Sequence, residues 1–419
     1  MSSENTVNAS KLKAIRLDLD FNQRQMSGLL GINYSTYKMY EQGKRSVPEE
    51  LLKQLYTIMS RKMDYRLEGS IDWLKIRFKT LDYESVIREV LQMDISEFYD
   101  SEKTFYGYQD MVTYGNIRVL FSHDDTKIEE GTLIEFTGLS CREFELVLMN
   151  QKREWWEFLA SAISFAEKYR KHRDLDDFIS FNRLDLALDE LYREDGENID
   201  LHDFKARIYS DNVKVNVVNS ISFTEGLKRV KGRWVNEGLT MYFGSRQSDV
   251  FIRFYQKDHE QALKLNTTPD YINHVYGLKN RYEIELHGSK AMQVVMDYIS
   301  GMEFGEIGSK ILNKYFEVYD EDGALDILWQ ELVGLTGGYK FVTKPQRYDY
   351  TRSKKWVHKS VSGTLLLMQF EAYLKKRDLI GEVVEEASFS EKQEKVARLM
   401  AEKYKVDYDE VLEHVKGYW

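Results

Sequence analysis

A chain of 419 residues exceeds one ordinary hydrophobic core, so two or three domains are expected. With 42% hydrophobic and 31% charged residues it has the composition of a soluble, folded protein, and no apolar run approaches the ~20 residues that would span a bilayer. A single cysteine, Cys141, excludes an intramolecular disulfide and a thiolate-rich zinc site, and the first residues lack the apolar core of a signal peptide, so a cytoplasmic protein without membrane insertion is expected. The net charge of −10 is unevenly distributed: residues 10–66 hold 11 Lys or Arg against 6 Asp or Glu, a local balance of +5. A local basic surface suffices to meet phosphates, whatever the sign of the whole.

Residues 10–60 read as four or five short helices. Ser10–Leu19 spaces Leu12, Ile15 and Leu19 at helical intervals. Asn22 is placed to cap Gln23–Leu30, with Met26, Leu29 and Leu30 turned inward, and Ser27 is a small residue where two helices can approach. Gly31 supplies a turn, Asn33 caps Tyr34–Glu41 with Tyr37 and Tyr40 facing the core, and Pro48 opens a helix to about Met59. This run, NQRQMSGLLGINYSTYKMYEQGK, resembles the Cro/repressor type of helix-turn-helix. The resemblance implies that the second helix of the motif enters the major groove, so that Asn33, Ser35, Thr36 and Lys38 meet bases or phosphates and Gln23 contacts a phosphate. A helical domain that keeps this fold but binds protein is the alternative.

Residues 63–70, MDYRLEGS, read as a linker, after which the pattern becomes one of strands. Residues 71–78 nearly alternate apolar and polar, and further strands are expected at Ile117–Ser122, Gly131–Thr137, Arg183–Asp189, Gly238–Gly244, Val250–Tyr255 and Arg281–Leu286. Helices are expected at Ser140–Met149 and Glu154–Lys171. Interleaving of this kind predicts an α+β domain with a central, mostly antiparallel sheet flanked by helices. From Phe316 onward the chain reads as mostly helical, with apolar stripes over Leu325–Leu335 and Thr364–Lys376 and an amphipathic Ser390–Tyr404. The expected domains are 1–66, 67–345 and 346–419.

Period-2 geometry puts Arg183, Asp185 and Asp189 on one strand face, Arg281, Glu283, Glu285 and His287 on another, and Arg253, Tyr255 and Lys257 on a third. If the faces converge they form a site of carboxylates, cations and a phenol whose oxygen donors suit Mg²⁺ or Mn²⁺. A tyrosine hydroxyl of pKa ~10 is a poor nucleophile unaided. A divalent cation and nearby Arg or Lys would stabilise the charge that develops when it attacks a phosphodiester. The product would be a phosphotyrosine link and a free 3′-hydroxyl. Solvated surface charge is the plainer explanation of the same alternation.

The segment GLTMYFGSRQSDVFIRFYQKDHE, followed by RYEIELHG, preceded by NRLDLALD and by GTLIEFTGLSCREFE at residues 131–145, resembles the Rep_trans family of rolling-circle initiators and relaxases over roughly residues 70–345. The resemblance implies Tyr255 as nucleophile, Asp185 and Glu283 as metal-binding positions with Glu285 as a companion, and Arg253, Lys257 and Arg246 as phosphate contacts. Tyr242 and Tyr282 are read as structural. The added helix-turn-helix makes the chain most similar to MobT-type relaxases of integrative and conjugative elements. That implies a transfer origin as double-stranded target, the nicked single strand as product, and a helicase, a coupling protein or a second copy as possible partners. A plasmid replication initiator of identical chemistry and a non-catalytic transcriptional regulator are the alternatives.

Overall fold

The computed structural model describes residues 3–18, 21–48, 50–52, 66–230, 232–334, 337–341, 354 and 357–417. Residues Met1–Phe341 and Val342–Trp419 form two separate compact units. The expected helix end at Met59, the first three residues of the 63–70 linker and the boundary at residue 345 lie outside the described residues, and the end of that linker, from Glu68, is already strand.

The chain opens with helices Ser3–Asp18, Gln23–Leu29 and Tyr34–Glu41. Asn22 and Asn33 cap the second and third through their side-chain oxygens, which accept from the backbone N–H groups of Arg24 and Ser35. Gly31 makes the turn at φ +62°, a conformation that costs a residue with a Cβ. Leu12, Met26, Leu30, Tyr37 and Tyr40 form a small core, which Leu325 completes from far along the chain.

Among the described residues twelve strands follow: β1 Glu68–Phe78, β2 Tyr99–Asp100, β3 Asp110–Tyr114, β4 Ile117–Phe121, β5 Thr132–Phe136, β6 Ile179–Leu191, β7 Val213–Val215, β8 Ile221–Val230, β9 Arg233–Phe243, β10 Val250–Gln256, β11 Leu278–Leu286 and β12 Phe316–Val318. Ten of them make one sheet in the order β2-β3-β4-β5-β1-β6-β11-β10-β9-β8, with every pairing antiparallel. The remaining two, β7 and β12, pair separately, so the residues after Phe316 begin with a strand rather than a helix. Short length hides such a strand from periodicity, since three residues show no repeat.

One face of the sheet is apolar. Leu74, Ile76, Leu184, Leu186, Leu188, Ile252, Phe254, Tyr282 and Ile284 are buried there. Helices Trp155–Tyr169, Ser289–Ile299 and Phe304–Tyr315 contribute Phe158, Phe165, Val294, Val295, Ile307 and Ile311 to the same core. Phe254 sits within an aromatic group of Phe204, Phe243, Phe316, Trp329 and Tyr282. This anchor sets the register of β10, because a slip of one residue would exchange the apolar Ile252 and Phe254 for Arg253 and Tyr255. Truncating a buried ring of this kind costs about 3–5 kcal/mol. The core therefore determines which way the phenol of Tyr255 points.

The second unit contains helices Ser362–Lys375, Leu379–Glu386, Glu391–Tyr404 and Tyr408–Gly417. Ser390 and Gln393 close a reciprocal capping box at the start of the third. No helix among the described residues is long and apolar enough to cross a membrane.

Candidate active site

The opposite face of the sheet is polar, and the three expected faces meet on it because β6, β11 and β10 are neighbours. Asp185 lies directly across from Glu285, and Glu283 across from Arg253. Arg253 is in turn paired with Tyr242, and Tyr255 with Thr240, on β9. Beside them opens a cleft of about 640 Å³ lined by Tyr255, Arg253, Lys257, Glu283, Arg281 and Tyr242, among others.

Tyr255 is the centre of this cleft. Its hydroxyl donates to Glu283 Oε1 at 2.7 Å, and Lys257 Nζ lies 3.3 Å from the same oxygen. Glu283 Oε2 accepts from Arg253. Burial pushes the Tyr255 phenol well above its ordinary value, although the nearby Arg281 and Arg253 pull in the other direction. The phenol is therefore held as a neutral donor to a carboxylate, and its nucleophilicity depends on handing over the proton. Burial also lowers the Lys257 ammonium, assisted by Arg281, against the opposing hydrogen bond to Glu260. Lys257 does not continue β10 as the alternation suggested: it opens the helix Lys257–Leu265, and its long side chain still returns to the hydroxyl.

Arg281 is held from behind by two contacts of 2.6 Å to Asp189. Burial works against its charge, but Asp189 outweighs burial and raises its pKa further. Asp72 lies 3.4 Å from the same guanidinium. Its aim follows from a bulge in β1: Ile71 pairs with Leu186 and Trp73 with Asp185, so Asp72 is the extra residue. Bulges re-aim side chains in this way. Asp72, Glu260 and Lys264 line the cleft and escaped the reading of the sequence. The helical spacing of Glu260 and Lys264, an i,i+4 pair 2.6 Å apart, was the available signal for those two.

Asp185, Glu285 and Glu283 share the polar face, and their oxygen donors are of the type that hard cations take. The guanidinium Nη2 of Arg183 lies 2.5 Å from Asp185 and 3.0 Å from Glu285, so one cation already bridges that pair. Burial raises Asp185 to about 6 despite Arg183. For Glu285 the burial penalty is outweighed by a 2.9 Å contact to His287 and by Arg183, and its pKa falls. Among the described residues no three acidic or histidine side chains converge closely enough to make a metal site as they stand. The donor chemistry fits a divalent cation at Asp185 and Glu285. The third expected donor, Glu283, is turned instead toward Tyr255 and Arg253.

One further expectation, the structural part given to Tyr242, changes. Tyr242 lines the cleft beside Arg253 and stacks on Phe251, so it belongs to the site surface. Arg246 stands in the β9–β10 turn with its guanidinium over Phe251, on the Glu285 side of the site. Tyr282, in contrast, is fully buried on the apolar face and donates to Glu190, in keeping with a structural part.

On the helix-turn-helix, Lys38, Ser35 and Asn33 are exposed and Thr36 is half-buried. Asn33 and Ser35 are partly spent on each other, since the Ser35 hydroxyl donates to the capping oxygen at 2.7 Å. Gln23 donates to Glu41, the acid that also binds Arg16, so the side chain expected at a phosphate is tied to the domain's interior. Arg24 lies exposed over the ring of Tyr34 beside it.

Comparisons with known proteins give the same order of parts. Residues 12–58 match a helix-turn-helix model, residues 68–161 the N-terminal domain of rolling-circle replication initiation proteins, and residues 179–384 the replication initiation factor model, Rep_trans. A Bacillus subtilis (strain 168) protein named "Putative DNA relaxase NicK" is 27% identical over 340 residues, covering 79% of this chain and 89% of its own. A solved rolling-circle replication initiator protein from Geobacillus stearothermophilus is 24% identical, covers 64% of this chain and 96% of its own, and superposes with a TM-score of 0.49. Two regions of the chain, residues 68–161 and 179–384, thus resemble rolling-circle replication initiation proteins and the replication initiation factor family, with a helix-turn-helix match ahead of them.

Proposed function

We propose that this protein is a site- and strand-specific DNA nicking-closing enzyme, a relaxase that cleaves the transfer origin of a mobile element through a covalent 5′-phosphotyrosine. The observation that carries the proposal is the Tyr255 hydroxyl, bonded to Glu283 at 2.7 Å in a cleft that also holds Lys257, Arg253 and Arg281. The similarity to replication initiation factors and to a relaxase supports the chemistry, and the leading helix-turn-helix supports a DNA target chosen by sequence.

In the forward step Tyr255 passes its proton to Glu283 as its oxygen attacks the phosphorus. The bond from phosphorus to the 3′-oxygen breaks, and that oxygen takes a proton from Lys257, whose ammonium is made more acidic by burial. Arg253 and Arg281 face the phosphoryl charge, which is worth most where water is excluded. Closing the nick is the same sequence reversed. Asp185 and Glu285 would hold Mg²⁺ or Mn²⁺, the expected third donor Glu283 being engaged by Tyr255 and Arg253, and the cation when bound would supply positive charge to the phosphoryl group. Arg246 is assigned to the neighbouring phosphate.

Origin duplex and nicked strand are thus the substrates and products, in the cytoplasm. A helicase or coupling protein would take the strand onward. A plasmid replication initiator with identical chemistry is the second reading, favoured by the family's own description. The test is supercoiled origin DNA with Mn²⁺ on a denaturing gel, comparing wild type with Tyr255→Phe. Nicked DNA carrying attached protein in the wild type alone is expected, and an EDTA control should abolish it. Attachment that persists in Tyr255→Phe would remove Tyr255 from this role. DNA that binds but is never cut would favour a regulator.

A further inference from the structure

The β8–β9 hairpin reaches beyond the strand that carries the nucleophile. On β9 the last residue paired with β10 toward the tip is Thr240, opposite Tyr255, while β8 and β9 stay paired out to Val230 and Arg233. From Thr240 to Gly232 is eight residues, which at strand rise is roughly 27 Å. The root is tied to the active site. Leu239 N–H donates to Gln256, and the His259 ring lies 3.3 Å from the Asn236 carbonyl.

The arm's composition is unlike that of the rest of the chain. In a protein of net charge −10, the tip half of the arm, between Glu225 and Glu237, contains Lys228, Arg229, Lys231 and Arg233 and no acid. Leu227 and Trp234 are 65% and 67% exposed. Register puts Arg229 directly across from Trp234 and Leu227 across from Asn236, so indole, guanidinium and leucine share one face. Among the described residues no ion pair involves Lys228 or Arg229. The exposed indole stands beside cations and contributes to none of the core clusters. It matches the chemistry of unpaired nucleic acid, where bases stack on aromatic rings and the backbone follows positive charge.

We propose that this arm holds the single strand on one side of the cleaved phosphate, with Trp234 as stacking platform and Arg229 beside it on the backbone. The proposal rests on the nicking reading and assigns part of its substrate. The arm's length spans several nucleotides of strand from the cut. Duplex choice is left to the helix-turn-helix, so the two DNA forms are divided between two surfaces.

The experiment uses the full chain carrying Tyr255→Phe, so that binding is read without cleavage. Dissociation constants are measured for a mixed-sequence single-stranded oligonucleotide of about twenty nucleotides and for its blunt duplex. Trp234→Ala and, separately, Arg229→Ala are expected to weaken single-strand binding, Trp234→Ala by about tenfold, with Trp234→Phe restoring most of it and duplex binding unchanged. Both positions are exposed, so the fold should persist, and a thermal melt checks this. Single-strand affinity unchanged in both alanine variants would overturn the proposal, as would an equal loss on duplex. Failure of the nicking reading shows elsewhere: wild type would form no covalent product on any DNA, while the binding comparison would stand or fall by itself.

Discussion

The helix-turn-helix and the polar face of the sheet both address DNA phosphates in this reading, yet they are built in opposite ways. The reader is local: cap, turn and core positions lie within some thirty residues, and Lys38 stands exposed in ordinary solvent. The cleft is assembled from residues as distant as Asp72 and Glu283. Its groups are buried against one another, and burial moves the acid–base behaviour of Tyr255, Lys257 and Asp185. Recognition tolerates solvated, interchangeable contacts, whereas bond-making needs groups taken out of water and held by opposite charges. Substitutions should therefore hurt the two regions by different amounts and in different assays.

The largest effect is expected at the cleft. Glu283→Gln keeps the shape but removes the proton acceptor of Tyr255, so single-turnover cleavage should fall about 10²–10³-fold with DNA affinity little changed. A loss of less than fivefold would mean that the proton leaves by another route. Next comes the linkage of Asp185 to pH. Its native pKa of about 6 stands above the ordinary 3.8, so between those values the folded state binds the extra proton. Stability from this group is present below about pH 4 and is lost as pH rises to 6. In chelator, wild type should lose on the order of 1–3 kcal/mol across that window relative to Asp185→Asn. Parallel denaturation curves at pH 4 and pH 6.5 would sink the assignment.

The join between the regions should respond less. A Cβ on Gly28 would lie 3.3 Å from Leu325 Cγ and from the Tyr319 ring, and Leu325 N–H donates to the Gly28 carbonyl at 3.0 Å. Gly28→Leu is expected to cost about 1–3 kcal/mol by overpacking. Urea unfolding should show the loss, and oligonucleotide cleavage should survive it. Cleavage that disappears with the fold intact would show that the two regions act as one.

Much of this design is legible in the sequence. Asn33, Gly31, Tyr37 and Tyr40 announced the helix-turn-helix because a helix is specified by near neighbours. The alternation of Arg253 and Tyr255, of Arg281, Glu283 and Glu285, and of Arg183 and Asp185 announced three polar faces for the same reason. Their meeting depended on β6, β11 and β10 being adjacent, which is long-range information. Asp72 was hidden because a bulge breaks period 2 and shows only against a partner strand. Gln23 was misplaced since its contact with Glu41 spans two helices. The direction of Glu283, toward the phenol rather than beside Asp185, is a matter of side-chain geometry on which spacing is silent.

The smallest effect is expected at Lys38, and it sharpens the comparison most. Its ammonium is exposed on the motif's second helix and shows no salt bridge among the described residues. A solvated contact to one phosphate should contribute modestly and be screened by salt. Lys38→Ala is therefore expected to weaken binding to origin duplex a few-fold and to reduce the slope of log K against log salt by about 1. Cleavage of a single-stranded oligonucleotide spanning the cut should proceed at the wild-type rate, because nothing in the cleft includes this residue. If instead Lys38→Ala slowed single-strand cleavage as much as Glu283→Gln does, recognition and chemistry would be coupled through the Gly28–Leu325 join. The division between a solvated reader and a buried cutter would then fail at its cheapest residue.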